Sequence, residues 1–294
     1  MSEPLFEKIA LIGIGLVGGS IALAARRGGL ARKIVAATRS AETAATANRL
    51  KLTDHCGTDL AAACEGADLV IVCTPVGACG EVARVIGPKL KAGCIVSDVG
   101  SVKQAVVAAM QPHLPPGVHF VPAHPVAGTE NSGPEAGFAE LFDGRWTILT
   151  PLPDSDPAAV AKLETFWKGL GSLVDKLDPA HHDRILAITS HLPHLIAYTI
   201  VGTADDLGGH LNAEVLRFAA GGFRDFTRIA ASDPTMWRDV FMNNREAVLE
   251  VLQRFQEDLF YLQRAIRWGE GDKLFELFTR TREIRRALIH LNQA

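Results

Sequence analysis

The chain has 294 residues, of which 48% are hydrophobic and 21% charged, and its formal net charge is −3. This length allows two domains with sizeable cores. The small net charge gives no reason to expect nucleic acid or an anionic membrane surface as a partner. We expect no secretory signal at the N-terminus and no membrane span, because no run approaches 18 apolar residues. The five cysteines include no CxxC pair, which indicates reduced thiols in a cytoplasmic protein.

The first half of the chain alternates strand-like and helix-like segments. Nearly continuous apolar runs at 67–73 and 94–98 are typical of strands buried on both faces. This alternation predicts a Rossmann-type α/β fold with a doubly wound, mostly parallel sheet. The predicted strands are 8–12, 33–37, 67–73, 94–98, 119–122 and 146–149, and the predicted helices between them are 16–27, 76–86 and 102–111.

The proline-rich segment 151–157 is the predicted domain boundary. We assign residues 1–152 to a dinucleotide-binding domain and residues 153–294 to a helical domain. Beyond the boundary, strand-like sequence is confined to the region around 172–176. Long helical patterns then follow, and their apolar faces need a partner. We therefore expect an all-helical C-terminal domain that forms a homodimer. These patterns run over 179–207, 233–268 and 272–291.

A GxGxxG motif made by Gly13, Gly15 and Gly18 follows the first strand and opens a helix. The first glycine makes a tight turn, the second lets a pyrophosphate approach the backbone, and the third lets helix and strand pack closely. The helix N-terminus supplies backbone N–H groups, so Leu16 and Val17 are also candidate cofactor contacts. The motif favours a dinucleotide site over a purely structural glycine turn.

The end of the second strand bears on which dinucleotide binds. NAD sites usually carry an acidic residue there, whereas this chain has Thr38, Arg39 and Ser40. A cation between two hydroxyls suits a 2′-phosphate, which favours NADP over NAD. The alternative is an arginine that stacks on adenine with either cofactor. Thr74 and Pro75, at the end of the third apolar strand, are further candidate cofactor contacts.

His124 lies just beyond the predicted strand 119–122, in the sequence HPVAGTE. Open α/β sheets bind ligands at this edge, and imidazole exchanges a proton near pH 7. His124 is therefore a candidate catalytic residue, although a histidine can also simply cap a surface loop. Ser101 follows the preceding strand and is placed to hydrogen-bond His124 or a substrate hydroxyl. Ser101 is also a predicted N-cap for the helix 102–111.

The helical domain carries two further polar segments. SHLPH, at 190–194, interrupts a helix because proline removes a backbone hydrogen bond. Its histidines lie near His181 and His182, but without paired cysteine or glutamate ligands we expect no metal site. The segment 221–228 is predicted to be a glycine-led loop in which Arg224 or Arg228 binds a carboxylate. The alternative is a solvated loop with internal ion pairs.

Taken in order, the motifs GxGxxG, DVGSVK, HPVAGTE, SHLPH and GGFRDFTRIA resemble the prephenate/arogenate (cyclohexadienyl) dehydrogenase family of tyrosine biosynthesis. The first motif is generic, whereas the last three together are specific, and the resemblance covers roughly residues 8–268. It implies oxidative decarboxylation of prephenate, arogenate or both, with hydride transfer to NAD(P)⁺. The products are 4-hydroxyphenylpyruvate or tyrosine, and tyrosine is a candidate inhibitor. The resemblance also implies dimerisation through the helical domain.

The resemblance implies a role for individual residues. His124 accepts the substrate hydroxyl proton, and Ser101 orients it. The other matched positions are substrate-binding or shape access to the site: His191, Arg228, Gly221, Glu130 and Asp225. The sequence leaves prephenate and arogenate equally open as substrates.

Two other functions suit the same two-domain plan. β-Hydroxyacid-type dehydrogenases and imine reductases use a catalytic lysine in a helix or no histidine base, and here SHLPH occupies the corresponding helix. A non-enzymatic NADP-sensing module would bind the dinucleotide without turnover. Such a module would have no need for His124, His191 and Arg228 together.

Overall fold

The computed structural model describes residues 3–208, 218 and 220–289. Two compact units are present, Met1–Arg245 and Glu246–Ala294. The first unit is built on a six-stranded sheet of order β3-β2-β1-β4-β5-β6, in which every pairing is parallel. This is the Rossmann strand order, so the predicted fold class is confirmed. The strands are β1 (Phe6–Ile12), β2 (Ala31–Ala37), β3 (His55–Gly57), β4 (Leu69–Val72), β5 (Ile95–Asp98) and β6 (His119–Phe120).

Helices cover both faces of this sheet, because its central strands are apolar on both sides. On one face α1 (Leu16–Arg27) packs in a core that includes Phe166 and Trp167; on the other lie Val82 and Val106. The sequence patterns did not single out β3 or the two short helices that flank it. The remaining helices around the sheet are α2 (Ala41–Arg49), α3 (Leu60–Cys64), α4 (Cys79–Ile86), α5 (Gln104–Met110) and α6 (Pro157–Gly169).

A second, three-stranded sheet follows β6 in the chain. Its strands are β7 (Ala123–Pro125), β8 (Trp146–Leu149) and β9 (Leu173–Lys176), with β7 antiparallel and β9 parallel to β8. His124 therefore lies beyond the end of β6, as predicted, but within a short strand of its own, opposite Ile148. The predicted strand 146–149 also belongs to this sheet and not to the parallel one.

The segment after the predicted boundary packs with the sheets. Phe166 and Trp167 of α6 share a core with α1, and β9 pairs with β8. A boundary between residues 152 and 153 stays a prediction.

The rest of the first unit is helical. Helix α7 (Pro179–Leu186) continues through a π-helical turn, Ala187–His191, into α8 (Leu192–Gly208). The predicted interruption at SHLPH is thus a π turn, a feature that is frequent at functional sites. The predicted loop 221–228 is instead α9 (Gly221–Thr227), followed by a 3₁₀ turn. Its two glycines occupy the first helical turn, where they interrupt no interior hydrogen bond.

The predicted helix 233–268 is two helices, α10 (Pro234–Asn243) and α11 (Arg245–Arg267). They separate at Asn244, whose backbone leaves the helical region with φ −112° and ψ 33°. Asn244 is buried and holds side-chain hydrogen bonds to Asp183 and His191. A tertiary contact therefore accompanies the break, and no proline or glycine in the sequence signals it.

The second unit comprises most of α11 and α12 (Gly271–Ile289). Large apolar side chains on both helices are exposed, which is unusual for a surface that stays free in solution. They are Leu249, Leu259, Phe260, Tyr261, Ile266, Phe275, Phe278 and Ile284, and Trp268, in the turn between the helices, is exposed as well.

Among the described residues, one helical segment, Pro179–Leu207, is long and apolar enough to cross a membrane by length and composition. The mean hydropathy of its 18-residue apolar window is 1.4. The segment passes through the π turn and carries His182, Asp183 and His191, all of them buried in the first unit. The expectation of no span rested on the lack of a long uninterrupted apolar run, and that criterion misses a helix in which polar residues are interspersed. Of the most apolar window of this segment, 22% is buried within the described structure, and Ile188 and Leu207 are exposed.

Candidate active site

The carboxyl ends of β1, β4 and β5 lie in register, which brings the glycine motif and Thr74 to one edge of the sheet. Gly13 has φ +103°, and a Cβ there would lie 2.5 Å from the Cys73 carbonyl oxygen. A Cβ on Gly18 would lie 2.2 Å from the Gly13 carbonyl oxygen. These two glycines are therefore required for packing. A Cβ on Gly15 would meet nothing within 4 Å, so open space adjoins the N-terminus of α1.

This edge fits a dinucleotide. No described side chain caps α1, so the N–H groups of its first turn, at Leu16 and Val17, are available for a pyrophosphate. The hydroxyl of Thr74 is buried without a hydrogen-bond partner among the residues described, and such an atom calls for a ligand or water. Pro75, which follows it, is exposed.

At the end of β2, the three predicted cofactor contacts differ in their environment. The Ser40 hydroxyl caps α2 by accepting the Thr43 N–H at 3.2 Å, and Thr38 donates its N–H to Gly57. Arg39 is exposed and forms no ion pair within the described part of the chain. Its guanidinium is therefore free to meet an anionic group.

His124 is buried, 7% exposed, and is linked to two residues of α7. Its Nδ1 lies 2.9 Å from Nε2 of His182, and Nδ1 of His182 lies 2.8 Å from Oδ1 of Asp183. The sequence patterns named His182 only as an unsupported metal ligand and did not name Asp183. Their adjacency in the chain carried no signal, because α7 reaches His124 only through the tertiary fold.

The hydrogen bonds among Asp183, His182 and His124 show which ring nitrogens carry protons. A carboxylate only accepts, so Nδ1 of His182 donates to Asp183 and its Nε2 is left as an acceptor. Nδ1 of His124 then donates to His182, which leaves a lone pair on Nε2 of His124. The pKa of His124 lies well below its ordinary value because of burial first and of His182 second. His124 is thus a neutral proton acceptor with a defined tautomer.

Ser101 does not hydrogen-bond His124, and a hydrogen bond from Ser101 to a substrate hydroxyl stays a prediction. Its hydroxyl makes no hydrogen bond among the described residues, and His182 is the partner that orients His124. Helix α5 begins at Gln104, so Ser101 as its N-cap was wrong. The helix start is instead held by Asp183, which accepts the N–H groups of Lys103 at 2.7 Å and Gln104 at 2.9 Å. The carboxylate of Asp183, distant in sequence, therefore caps α5 in place of Ser101.

His191 is fully buried in the π turn. Asn244 donates to its Nδ1 at 3.0 Å, so Nε2 carries the proton, and this N–H has no partner among the described residues. Burial lowers the pKa of His191 to about 4, against the opposing effect of the nearby Asp183 carboxylate. Trp237 packs beside His191, and its indole N–H is likewise buried and unpaired in the described structure. A substrate contact at His191 stays a prediction.

Arg228 and Glu130 are brought together, although 98 positions separate them in the chain. Arg228 Nη1 donates to Glu130 Oε2 at 2.8 Å, and both side chains are partly exposed, 59% and 35%. The pKa of Glu130 is lowered by its own backbone N–H first and by Arg228 second. Asp225 and Arg224 lie on α9 without an ion pair among the described residues, and a Cβ on Gly221 would come within 4.0 Å of Asp225. Only one of the two candidate arginines is thus held by an acidic partner.

The buried histidines predict that the protein loses stability in acid. Burial is the largest cause of a lowered pKa in His124, His182, His191 and His194. The unfolded chain therefore binds protons first, so stability is full above about pH 7 and falls as the pH drops below about 6.5. For His191, with a folded pKa of about 4, we expect a loss of about 2 kcal/mol between about pH 7 and 5.

Urea unfolding at pH 7.5 and pH 5.0 measures this loss. The variant His191→Asn should show a smaller difference between the two pH values than the parent protein. The exposed His55 provides the matched control, since His55→Asn should leave the difference unchanged. An equal pH dependence in the parent and His191→Asn would contradict the prediction.

Comparison with known proteins places this geometry in a family. Residues 21–176 match the family described as prephenate dehydrogenase, nucleotide-binding domain, and residues 178–280 match prephenate dehydrogenase, dimerization domain. The GxGxxG motif lies just before the first matched range. The two matches meet after β9.

Individual relatives agree over nearly the full chain. Cyclohexadienyl dehydrogenase of Zymomonas mobilis is 41% identical over 97% of each chain. Prephenate dehydrogenase of Bacillus subtilis is 33% identical over 96% of this chain and 76% of its own. The crystal structure of A. aeolicus prephenate dehydrogenase with hydroxyphenyl propionate and NAD⁺ superposes with a TM-score of 0.87 at 33% identity, covering 96% of this chain and 98% of that one. Synechocystis arogenate dehydrogenase gives 0.78 at 29% identity, covering 95% and 98%. The predicted resemblance is confirmed: the chain belongs to the prephenate dehydrogenase family of oxidoreductases.

Proposed function

We propose that this protein catalyses the oxidative decarboxylation of prephenate, arogenate or both in tyrosine biosynthesis, with a nicotinamide dinucleotide as hydride acceptor. The observation that carries the proposal is the chain of hydrogen bonds from Asp183 through His182 to His124. It leaves a neutral, oriented imidazole nitrogen free to accept a proton. General bases with such a fixed tautomer are typical of proton-abstracting enzymes.

A bound nicotinamide supplies the hydride acceptor. Nε2 of His124 accepts the proton of the substrate hydroxyl as the hydride leaves the carbon that bears it. The C–CO₂ bond then breaks, and its electron pair passes through the ring to the new carbonyl oxygen. The proton held on His124 returns to that oxygen, which completes the phenol. Hydrogen bonds from Nδ1 of His124 to His182, and from His182 to Asp183, stabilise the imidazolium while it carries the proton.

Arg228 is proposed to anchor a substrate carboxylate. Nη1 of its guanidinium pairs with Glu130, and we expect a substrate carboxylate to displace Glu130 from this nitrogen in an exchange of one anion for another. This exchange couples substrate binding to release of Glu130, in agreement with the predicted role of Glu130 in shaping access. Family membership disfavours a β-hydroxyacid-type dehydrogenase, an imine reductase and a sensing module without turnover.

Initial rates with prephenate and arogenate, each with NAD and NADP, test the function. We expect turnover with at least one of the four pairs, and loss of the carboxyl group as CO₂. The same assay with added tyrosine tests product inhibition. Absence of NAD(P)H formation from all four pairs in folded protein would overturn the proposal.

We propose NADP as the preferred cofactor, which Arg39 supports because it is exposed and has no ion-pair partner in the described part of the chain. The variant Arg39→Ala should raise the KM for NADP about 10–100-fold, because a charged hydrogen bond to the 2′-phosphate contributes about 1.5–3 kcal/mol. The KM for NAD should change less than about threefold, since NAD lacks that phosphate. Arg49 is the control, because it is also exposed but lies on α2 and pairs with Glu135. Arg49→Ala should change the KM of neither cofactor. An equal effect of Arg39→Ala on both cofactors would show that Arg39 stacks or packs.

We also propose that the protein is a homodimer in the cytoplasm. The exposed apolar residues of α11 and α12 support dimerisation, because they need a covering surface. Sedimentation equilibrium showing only monomer at micromolar concentration would contradict it. The five cysteines are free thiols, four of them buried, which supports a reducing compartment; recovery of the protein outside the cytoplasmic fraction would argue against this location.

A further inference from the structure

A fully buried ion pair lies directly behind His124. The side chains of Asp98, at the end of β5, and Lys103, before α5, are both 0% exposed, and the Lys103 ammonium donates to Oδ2 of Asp98. The same carboxylate oxygen accepts the N–H of Gly100 at 2.7 Å. Both residues are too deeply buried to touch solvent.

The pair binds both main-chain groups of Ala123, the residue before His124. The Lys103 ammonium donates to the Ala123 carbonyl oxygen at 2.6 Å, and Oδ1 of Asp98 accepts the Ala123 N–H at 3.3 Å. β7 is also paired with β8, where His124 lies opposite Ile148. The ion pair adds a second hold on the main chain, at the residue directly before His124.

Lys103 also reaches the far end of the hydrogen-bonded chain. Its backbone N–H donates to Oδ1 of Asp183 at 2.7 Å, the same oxygen that accepts Nδ1–H of His182 at 2.8 Å. Lys103 thus holds the hydrogen-bonded series Asp183–His182–His124 at both ends. Its main chain contacts Asp183, and its side chain contacts Ala123, the neighbour of His124.

A buried ion pair is costly to desolvate, and apolar residues of similar volume are often as stable in its place. Stability alone is therefore a weak reason for these two charges. We propose that Lys103, with Asp98, is a positioning residue that sets the distance and orientation between His124 and His182. The inference rests on the proposed function, because the positioned group is its base.

The charge-balanced double variant Asp98→Asn/Lys103→Met tests the proposal, since it leaves no unpaired buried charge. We expect kcat to fall about 10–100-fold, because a displacement of about 1 Å in a catalytic group can cost about 10²-fold. The KM values for substrate and cofactor should stay within about threefold, as neither residue is exposed to a ligand. Asp68→Asn/Lys91→Met is the matched control. Asp68 likewise binds a lysine and two backbone N–H groups, but at the opposite end of the strands, and this variant should retain the parent kcat.

A second readout does not depend on turnover. The Nδ1–H proton of His124, shared with His182, should give a slowly exchanging imidazole N–H resonance that is absent in His124→Asn. We expect the double variant to lose or shift this resonance while its circular dichroism and unfolding midpoint stay close to those of the control. If the parent proves inactive, the proposed function fails, and the resonance still decides whether the pair positions His124.

A double variant with parent kcat and an unchanged resonance would overturn the proposal. A raised KM with unchanged kcat would also overturn it and would place the pair in ligand binding. If Asp98→Asn/Lys103→Met gives too little folded protein, the same measurements are made on Asp98→Asn/Lys103→Gln. That variant retains polar partners for Ala123, and the same criteria apply.

Discussion

Replacement of His124 by asparagine is expected to lower kcat by about 10²–10⁴-fold, the usual contribution of a positioned general base. Asparagine can keep a donor toward His182 but offers no nitrogen lone pair to the substrate hydroxyl. The KM for substrate should change little, because His124 acts on a proton that moves only in the transition state. Steady-state kinetics on folded, purified variant measures both constants. A kcat within about threefold of the parent would remove His124 from the mechanism.

The variant His182→Asn separates the base from its support. It leaves Nε2 of His124 in place but removes the acceptor for Nδ1–H and the link to Asp183. We therefore expect a smaller loss of kcat than for His124→Asn, and no further loss when the two substitutions are combined. A double variant much slower than His124→Asn alone would show that His182 acts independently of His124.

Replacement of Arg228 by alanine is expected to raise the KM for substrate about 30-fold, with a smaller fall in kcat. Loss of one partner of a charged hydrogen bond in a closed site costs about 2–5 kcal/mol. The lower end applies, because Arg228 is partly exposed and exchanges one anion, Glu130, for another. The carboxylate is present in both the ground state and the transition state, so the loss falls mainly on KM. Initial rates over a range of substrate concentration give both constants.

Two variants control this result. Arg228→Lys should restore only part of the affinity, because a point charge does not reproduce the planar guanidinium fork. Arg224→Ala changes the other arginine of α9, which has no acidic partner among the described residues, and should leave KM close to the parent value. A strong effect of Arg224→Ala with none of Arg228→Ala would reverse the assignment. No effect of either would mean that α9 does not anchor the substrate.

The parallel sheet and the glycine motif were readable from the sequence, because both depend on local pattern. Strands buried on both faces need continuous apolar runs, as in β4 and β5, and the tight turn and close packing before α1 need glycines at 13 and 18. His124, Arg228 and Glu130 were named from their resemblance to family motifs. The structure brings Arg228 and Glu130 into contact, and the roles of all three residues at the active site stay predictions. The π turn at SHLPH was foreseen as an interruption because proline removes a backbone hydrogen bond.

The contacts that hold His124 form only in the folded chain. Asp183 and His182 approach His124 from 58 or more positions away, and no local propensity records such a contact. The same carboxylate replaces Ser101 as the cap of α5, because a well-placed distant acceptor satisfies the helix N-terminus as well as a local one. Asn244 ends α10 while bonded to His191 and Asp183, without any glycine or proline to signal the break. Fold class and family thus follow from local patterns and motifs. Which polar groups meet follows from packing, since hydrogen bonds between distant residues depend on the folded arrangement of whole helices and strands.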